Sequence, residues 1–308
     1  MATSTNVNSN YQGKTFENPG KVIGKAFKEG DTLRLNLLTV AENINFKLNM
    51  RKIQYTSGTV AYSCGFTPEG AVTLSEKVLE PIKFKTPIQV CKEDFRQTWS
   101  EDLEGASAHN ENLAKDIEDA IVLEMLGEHT QKIDSQIWSG DSSNTGEFDG
   151  LIKLFTADSD VIKPVGLGEV DESNVEGNLK AALSAIPIAI RRKNLVVAVS
   201  PDVFQAYTFH LISKGISNGL GGEDKQAKFG KYTLTEINGL PENTICIFEK
   251  ENVVFGTGLL GDHNQIDIRD EDQIGLLTGF VRGVMVYNAG VQYYNGEEIV
   301  YFDASVTA

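Results

Sequence analysis

The sequence predicts an α+β fold, on three observations. A single long helical pattern fills the centre of the first half. A helix, a strand and a second helix then follow in close order, and the last quarter reads as strands separated by turns. Strand-like alternation ahead of the long helix completes the picture of helices and strands segregated along the chain.

Residues 1 to about 30 have little periodicity, and Gly13, Pro19, Gly20, Gly24 and Gly30 interrupt any regular element, so this stretch reads as an extended arm. From Asp31 alternation predicts a strand, with Leu33, Leu35 and Leu37 on one side and Arg34 and Asn36 on the other. Ile44, Phe46, Leu48 and Met50 repeat that period, with Asn45, Lys47 and Asn49 facing away. Between Arg51 and Pro87 lie three short strand-like pieces, Thr59 to Cys64, Val72 to Leu74 and Val78 to Phe84, separated by polar turns with Gly58, Pro68 and Gly70. A two-stranded ribbon is marginal in water and needs a further surface to pack on. A ribbon and an arm in one chain therefore suggest that the missing surface belongs to a neighbouring subunit. Folding back onto its own domain is the competing account.

From about Asn110 to Trp138 there is no proline, and only Gly127 breaks the run of helix formers. Leu113, Ile117, Ala120, Ile121, Met125, Ile133 and Ile137 recur at three- and four-residue steps. Asn110 suits an N-cap, Glu111 suits the first turn, and Gly140 ends the helix. At 1.5 Å per residue this helix would run roughly 40 Å, which makes it a spine. Ser139 to Gly146 is a loop, after which Phe148 to Phe155 returns to the body of the fold. A second helical pattern covers about Asn174 to Ile190, with Leu179, Leu183 and Ile186 on one side. Asn194 to Ser200 is a buried-strand run, and Pro201 at the first helical position opens a helix from Asp202 to Ser213. Gly215 to Gly230 reads as a mobile, Gly-rich loop. From Tyr232 onwards the expected strands are Thr244 to Phe248, Val253 to Phe255, Ile266 to Arg269, Gly279 to Tyr287 and Ile299 to Phe302, and no internal repeat is evident.

With 308 residues, 41 % of them hydrophobic, the chain has material for one large domain or two smaller ones and is not disordered in composition. The polar start has no signal-peptide pattern, and no apolar run is long enough to span a bilayer. The expectation is a soluble protein made in the cytoplasm, with no membrane partner. Cys64, Cys91 and Cys246 are far apart and form no Cys-x-x-Cys pair, which fits reduced, mostly buried thiols. The 28 Lys and Arg against 43 Asp and Glu give a net charge of −15, which disfavours tight contact with a polyanion.

No motif calls for chemistry. His109, His129, His210 and His263 share no metal-ligand spacing. There is no Gly-x-Ser-x-Gly elbow and no P-loop. Gly256-Thr257-Gly258-Leu259-Leu260-Gly261 matches the dinucleotide fingerprint in letters. It is followed by turn and strand rather than a helix whose N-terminus would hold a pyrophosphate, so it reads as a turn. Asp141 to Gly146 resembles the start of a calcium loop, but Ile152 stands where the bidentate Glu would be. Glu297 and Glu298 beside Asn295 read as a solvated hairpin turn. The expectation is that the chain is not an enzyme. It has no catalytic, cofactor-binding or metal residues and needs no cofactor.

Five segments in order carry a family resemblance. These are Phe66-Thr67-Pro68-Glu69-Gly70 with Ser75 and the run Val78 to Phe84, then Ile88 to Phe95, Asn110 to Trp138, Gly140 to Gly150, and Asn174 to Ser213, with Gly283 to Phe302 closing the chain. Together they resemble the major capsid proteins of tailed bacteriophages, whose fold is called the Hong Kong 97 fold. The resemblance implies an N-terminal arm over 1–48 and an extended loop over 49–88. It further implies a peripheral domain over 89–172 with the spine helix at about 110–138, an axial domain over 173–282, and return strands of the peripheral domain over 283–308. It implies a subunit that self-assembles into hexamers and pentamers of an icosahedral shell, enclosing double-stranded DNA without specific binding. Scaffolding protein, portal and decoration proteins would be its partners, the virion its location, and the host cytoplasm its place of assembly.

Some members of that family join subunits through a Lys–Asn isopeptide bond assisted by a Glu. The resemblance would then make Lys77 or Lys83 the loop lysine, Asn295 the acceptor and Glu297 or Glu298 the assisting carboxylate. Most relatives lack the bond, and the expectation here is a chain without it. No long charged helical segment precedes the arm, which suggests a separate scaffolding protein or a processed chain, although Met1 argues against processing. The competing readings are an encapsulin-type nanocompartment shell protein, whose usual N-terminal helix is missing here, and a phage tail-tube protein, which the spine disfavours.

Overall fold

The computed structural model describes residues 31–44, 46–56, 58–62, 64, 69–91, 115–166, 168–215, 226–258, 267–271 and 279–303. The expected arm over residues 1–30, the helix start at Asn110, the end of the Ile88 to Phe95 segment after Cys91 and most of the loop after Gly215 lie outside these residues.

A helical turn α1 (Asp31–Arg34) leads into β1 (Thr39–Ala41). Then come β2 (Leu48–Thr56) and β3 (Ala71–Leu79), paired as a two-stranded ribbon, and β4 (Ile82–Cys91). The spine helix α2 (Lys115–Ser139) and a short helix α3 (Leu151–Ala157) follow. Next are α4 (Val175–Ser184), β5 (Leu195–Val199) and α5 (Pro201–Ser213). The remainder is β6 (Gln226–Phe229), β7 (Tyr232–Glu236), β8 (Thr244–Glu249), β9 (Val253–Thr257), β10 (Asp267–Asp270), β11 (Phe280–Tyr293) and β12 (Val300–Asp303).

Two five-stranded sheets organise the body. In the first, β11 is the hub: β4 pairs along one edge, and β10 and then β9 pair along the other, with β1 parallel to β9 outside. The second sheet has the order β12-β8-β5-β7-β6. Its middle strands are buried on both faces. Ile245 and Ile247 of β8 pack with α4 and α5 in one cluster, while Cys246 and Phe248 pack with Ile137, Trp138 and Phe255 in the other. A strand covered on both sides carries a continuous apolar run, which is why Asn194 to Ser200 reads as a buried strand and Thr244 to Phe248 as a strand.

Pro201 occupies the first helical position of α5, as expected, where its missing N–H costs nothing. The spine ends at Gly140, whose N–H donates to the Gln136 carbonyl at 3.1 Å and whose carbonyl accepts from Gly150 N at 2.8 Å. A Cβ on Gly140 would lie 2.3 Å from the Phe148 carbonyl oxygen, so only glycine lets the loop close on itself here.

Three expectations are corrected. Residues 31–37 form α1 and a turn instead of an alternating strand, because tertiary hydrogen bonds outweigh local pattern. Thr32 N donates to Asp134 Oδ1 at 3.0 Å, and Trp138 Nε1 donates to Thr32 Oγ1 at 2.7 Å. Asn36 closes the turn at φ 55°. Residues 58–62 and Cys64 carry no strand. Lastly, the expected run Val78 to Phe84 divides at Glu80 and Pro81, so β3 belongs to the ribbon and β4 to the body sheet. A 3-10 turn (Gly296–Glu298) carries the chain from β11 in the first sheet to β12 in the second, where Val300 and Phe302 fill the cluster under α4.

The Thr32–Trp138 contact generates a stability prediction. Trp138→Phe keeps an aromatic ring in the core but leaves the buried Thr32 hydroxyl without its donor, at a cost of about 1–3 kcal/mol. Urea unfolding of the unassembled chain should show a lower midpoint at unchanged slope, and an unchanged midpoint would refute the anchoring role.

Candidate assembly surface

The ribbon leaves the body at Met50 and Leu79, which join Ile44 and Val254 in a small buried cluster. Leu79 lies against β9 at Gly256, where a Cβ would come within 2.7 Å of Leu79 Cδ2. This corrects the reading of the Gly256-Thr257-Gly258 stretch as a turn. Gly256 and Thr257 are strand residues, and the glycine forms the notch that receives the ribbon root. Residues 259–261 of the motif lie outside the described ones.

Cross-strand register assigns the two faces of the ribbon. Met50, Lys52 and Gln54 oppose Lys77, Ser75 and Thr73, and by strand alternation all six share the side that meets the body. Lys77 Nζ is 2.7 Å from Asp158 Oδ2 and 3.4 Å from the centroid of the Tyr293 ring. The Tyr293 hydroxyl donates to the same carboxylate oxygen at 2.6 Å. Burial by itself raises the Asp158 carboxyl, but hydrogen bonds from Lys77, Tyr293 and the Asp160 backbone prevail and hold it at about 2. Burial, reinforced by the bond to Asp158, pushes the Tyr293 phenol up. On the other strand, Lys52 Nζ is 2.7 Å from Asn295 Oδ1 and 3.2 Å from Glu297 Oε2. Two lysines thus fasten one ribbon face to the body.

The opposite face is largely apolar, and among the described residues nothing covers it. Arg51 pairs with Glu76 near the root, followed outward by Ile53 opposite Leu74 and Tyr55 opposite Val72. These four apolar side chains are between 57 % and 72 % exposed, and Val78 on the same face is also exposed. Beyond them Val60 and Tyr62 are exposed as well, Tyr62 almost completely. Isolated exposed apolar residues are ordinary, but a contiguous face of them marks a contact site.

The residues considered for an isopeptide bond separate. The structure brings Asn295 and Glu297 together, but the lysine beside them within the chain is Lys52. Lys77 is held by Asp158, Lys83 is exposed on β4 opposite Asn288, and Glu298 lies 3.4 Å from Lys193. Sequence reasoning missed Lys52, Asp158 and Tyr293. The signal available was that Lys52 and Lys77 share the two-residue period of the buried Met50 and Leu79.

The other singled-out residues are accounted for locally. Lys153 occupies the centre of the calcium-like loop, 2.7 Å from Asp141 Oδ1 and 2.5 Å from Asp149 Oδ1. Its hydrogen bond, joined by those from Ser143, lowers the Asp141 carboxyl to about 2. His129 is buried edge-on to the Tyr287 ring at 4.5 Å, and His210 meets the Glu172 carbonyl at 2.9 Å and Glu176 at 3.4 Å. His109 and His263 lie outside the described residues. Cys246 is buried and Cys91 half-buried, but Cys64 is exposed, against the expectation of mostly buried thiols. Among the described residues no group of three or more His, Cys, Asp or Glu could hold a metal ion, and no helix is long and apolar enough to cross a membrane.

No protein-family model and no curated protein sequence matches this chain. Solved structures do. The capsid of a native GTA particle is 10 % identical with a TM-score of 0.59, over 90 % of each chain. The satellite phage P4 procapsid is 12 % identical with a TM-score of 0.58, over 92 % of this chain and 90 % of that one. A virus-like particle from Pyrococcus furiosus is 14 % identical with a TM-score of 0.51, over 95 % and 99 %. The fold is therefore the α+β fold of the tailed-phage capsid proteins, the Hong Kong 97 type, as the sequence resemblance implied.

The Lys77–Asp158–Tyr293 contact has a pH signature. A carboxyl whose pKa is lower folded than unfolded adds stability above about pH 4, and that increment fades as the pH falls towards 2. Lys77→Met removes the amine that lowers Asp158. Its melting temperature should lie below that of the parent chain near neutral pH and converge with it between about pH 4 and pH 2. A gap constant with pH would instead assign the effect to lost packing on the Tyr293 ring.

Proposed function

We propose that this chain is a structural subunit of an icosahedral bacteriophage capsid, with no catalytic step of its own. It forms hexamers and pentamers that enclose double-stranded DNA. The observation that carries the reading is the uncovered apolar face of the ribbon, set on a body with the capsid fold. A monomer gains nothing by exposing Ile53, Tyr55, Val72 and Leu74 together, whereas a ring of copies buries that face at every heterologous contact. The net charge of −15 supports enclosure of DNA without gripping it. Scaffolding protein, portal and decoration proteins are its proposed partners, assembly takes place in the host cytoplasm, and the finished subunit resides in the virion.

The test is assembly, read by electron microscopy of size-fractionated particles. The chain should form closed shells, or rings of five and six subunits; stacked open tubes would move the reading to a tail-tube protein. DNA inside natural particles supports the phage capsid, whereas protein cargo supports an encapsulin-type compartment.

A paired substitution at the ribbon isolates its role. Ile53→Glu with Leu74→Glu touches no buried contact of the monomer, so circular dichroism and the melting temperature should stay near those of the parent chain. Closed particles should be reduced by at least about tenfold, because charged groups would be buried unpaired at each interface. Undiminished shells from a folded double variant would remove the ribbon from the assembly contact.

A further inference from the structure

The second sheet ends in opposite charges. Beyond the Leu195 end of β5 lie the turn from α4 and the β6–β7 turn, which meet where Lys231 Nζ donates to the Arg191 carbonyl. Arg191, Arg192 and Lys231 are exposed there, and among the described residues no carboxylate pairs with them. Lys193 beside them is already held by Glu249 and Glu298. Ile188, on the same turn, is 81 % exposed. Beyond the Val199 end, Val170 N donates to Asn243 Oδ1 and Asn243 N to Asp202 Oδ2, each at 2.7 Å. These bonds bring Glu169, Asp171 and Glu172 beside Glu242. All four are exposed, and among the described residues no cation pairs with them. Behind them Asp202 Oδ1 is buried without a hydrogen-bond partner among the described residues, which leaves this end more anionic still.

We propose that the basic end of the second sheet in one copy docks on the acidic end of the same sheet in the next copy, head to tail. β5 has five residues, so the two ends are at least about 13 Å apart at about 3.3 Å per residue. That exceeds the screening length of about 8 Å at physiological salt, so the two ends do not neutralise each other within one chain. Like ends repel, which disfavours a two-fold contact through either end, whereas opposite ends attract. A head-to-tail contact repeated by rotation closes a ring. Ile188 gives the basic end an apolar centre, and Val165, 54 % exposed on the stretch leading to Glu169, gives the acidic end its counterpart.

A polyanion is the other occupant that the basic end could take, and two observations weigh against it. The chain carries a net charge of −15, which opposes approach of a nucleic acid. A polyanion would also leave the four carboxylates at the far end without a counterpart. A second copy satisfies both ends with one contact.

This contact rests on the shell-subunit reading, because it requires neighbouring copies. Charge exchange tests it. Arg192→Glu with Lys231→Glu, or Glu169→Lys with Glu242→Lys, should each reduce closed particles at least about tenfold, because like-charged ends then face each other. All four substitutions in one chain exchange the two ends and should restore particles to within about threefold of the parent chain. An equal mixture of the two double variants can only alternate around a ring, so it should give rings of six and no rings of five. Yields undiminished by either pair would overturn the proposal. Loss from the basic-end pair that the acidic-end pair does not relieve would also overturn it, and would assign the basic end to a polyanion. Where a double variant loses its circular dichroism, Arg192→Glu and Glu169→Lys alone make the same comparison. A parent chain that forms no particles bears on the shell reading instead, and sedimentation of the unassembled variants then decides the contact. The two double variants should associate with each other at least about tenfold more tightly than either does with itself, and equal association overturns the proposal.

Discussion

A two-stranded ribbon has two faces to cover, and among the described residues this chain covers one. That constraint shapes the rest of the structure. The root is set by volume, with Leu79 entering the notch at Gly256. The inclination is set by charge, with Lys77 against Asp158 and Tyr293 and Lys52 against Asn295 and Glu297. Because these contacts lie on one face, they also determine where the apolar face points. At about 25 cal/mol per Å² of apolar surface, covering that face is a strong drive towards association.

The body supports this arrangement through one corner. The Asn252 side chain and the Asn295 backbone are joined by two hydrogen bonds at 2.8 Å: Asn252 Nδ2 donates to the Asn295 carbonyl, and Asn295 N donates to Asn252 Oδ1. This exchange ties the turn between β8 and β9 to the turn between β11 and β12, where the chain crosses from one sheet to the other. The same corner holds Lys52. Asn295 therefore serves twice: its backbone holds the Asn252 side chain at the sheet crossover, and its side-chain oxygen accepts from Lys52 of the ribbon and from Glu297 N.

Much of this was legible in the sequence where a single physical cause dominated. The double-sided burial of β8 and β5 leaves uninterrupted apolar runs. Pro201 marks a helix start, and the spine declares itself through its three- and four-residue spacing. The readings that failed are those where a distant partner decides. Leu33, Leu35 and Leu37 alternate like a strand, yet Asp134 and Trp138, a hundred residues on, hold Thr32 in a helical turn. The run Val78 to Phe84 reads as one strand-like piece, and only the pairing of Ile82 to Cys91 with β11 shows that the strand after Pro81 belongs to the body. Of the assembly surface, the ribbon and its need for cover were readable from alternation. The lysine contacts at its root were not, because Asp158 and Tyr293 reach it from elements far along the chain.

The loop after the spine helix carries a further consequence. Its acidic ring is filled by the ammonium of Lys153, a covalently attached ion held by Asp141 and Asp149. A bound calcium ion would come and go with its concentration, and a chelator would strip it; a side chain does neither. The shape of this segment thereby needs no bound calcium, although its ion pairs, being solvent-exposed, weaken as added salt screens them. A chelator therefore leaves this loop as it is, whereas high ionic strength loosens it.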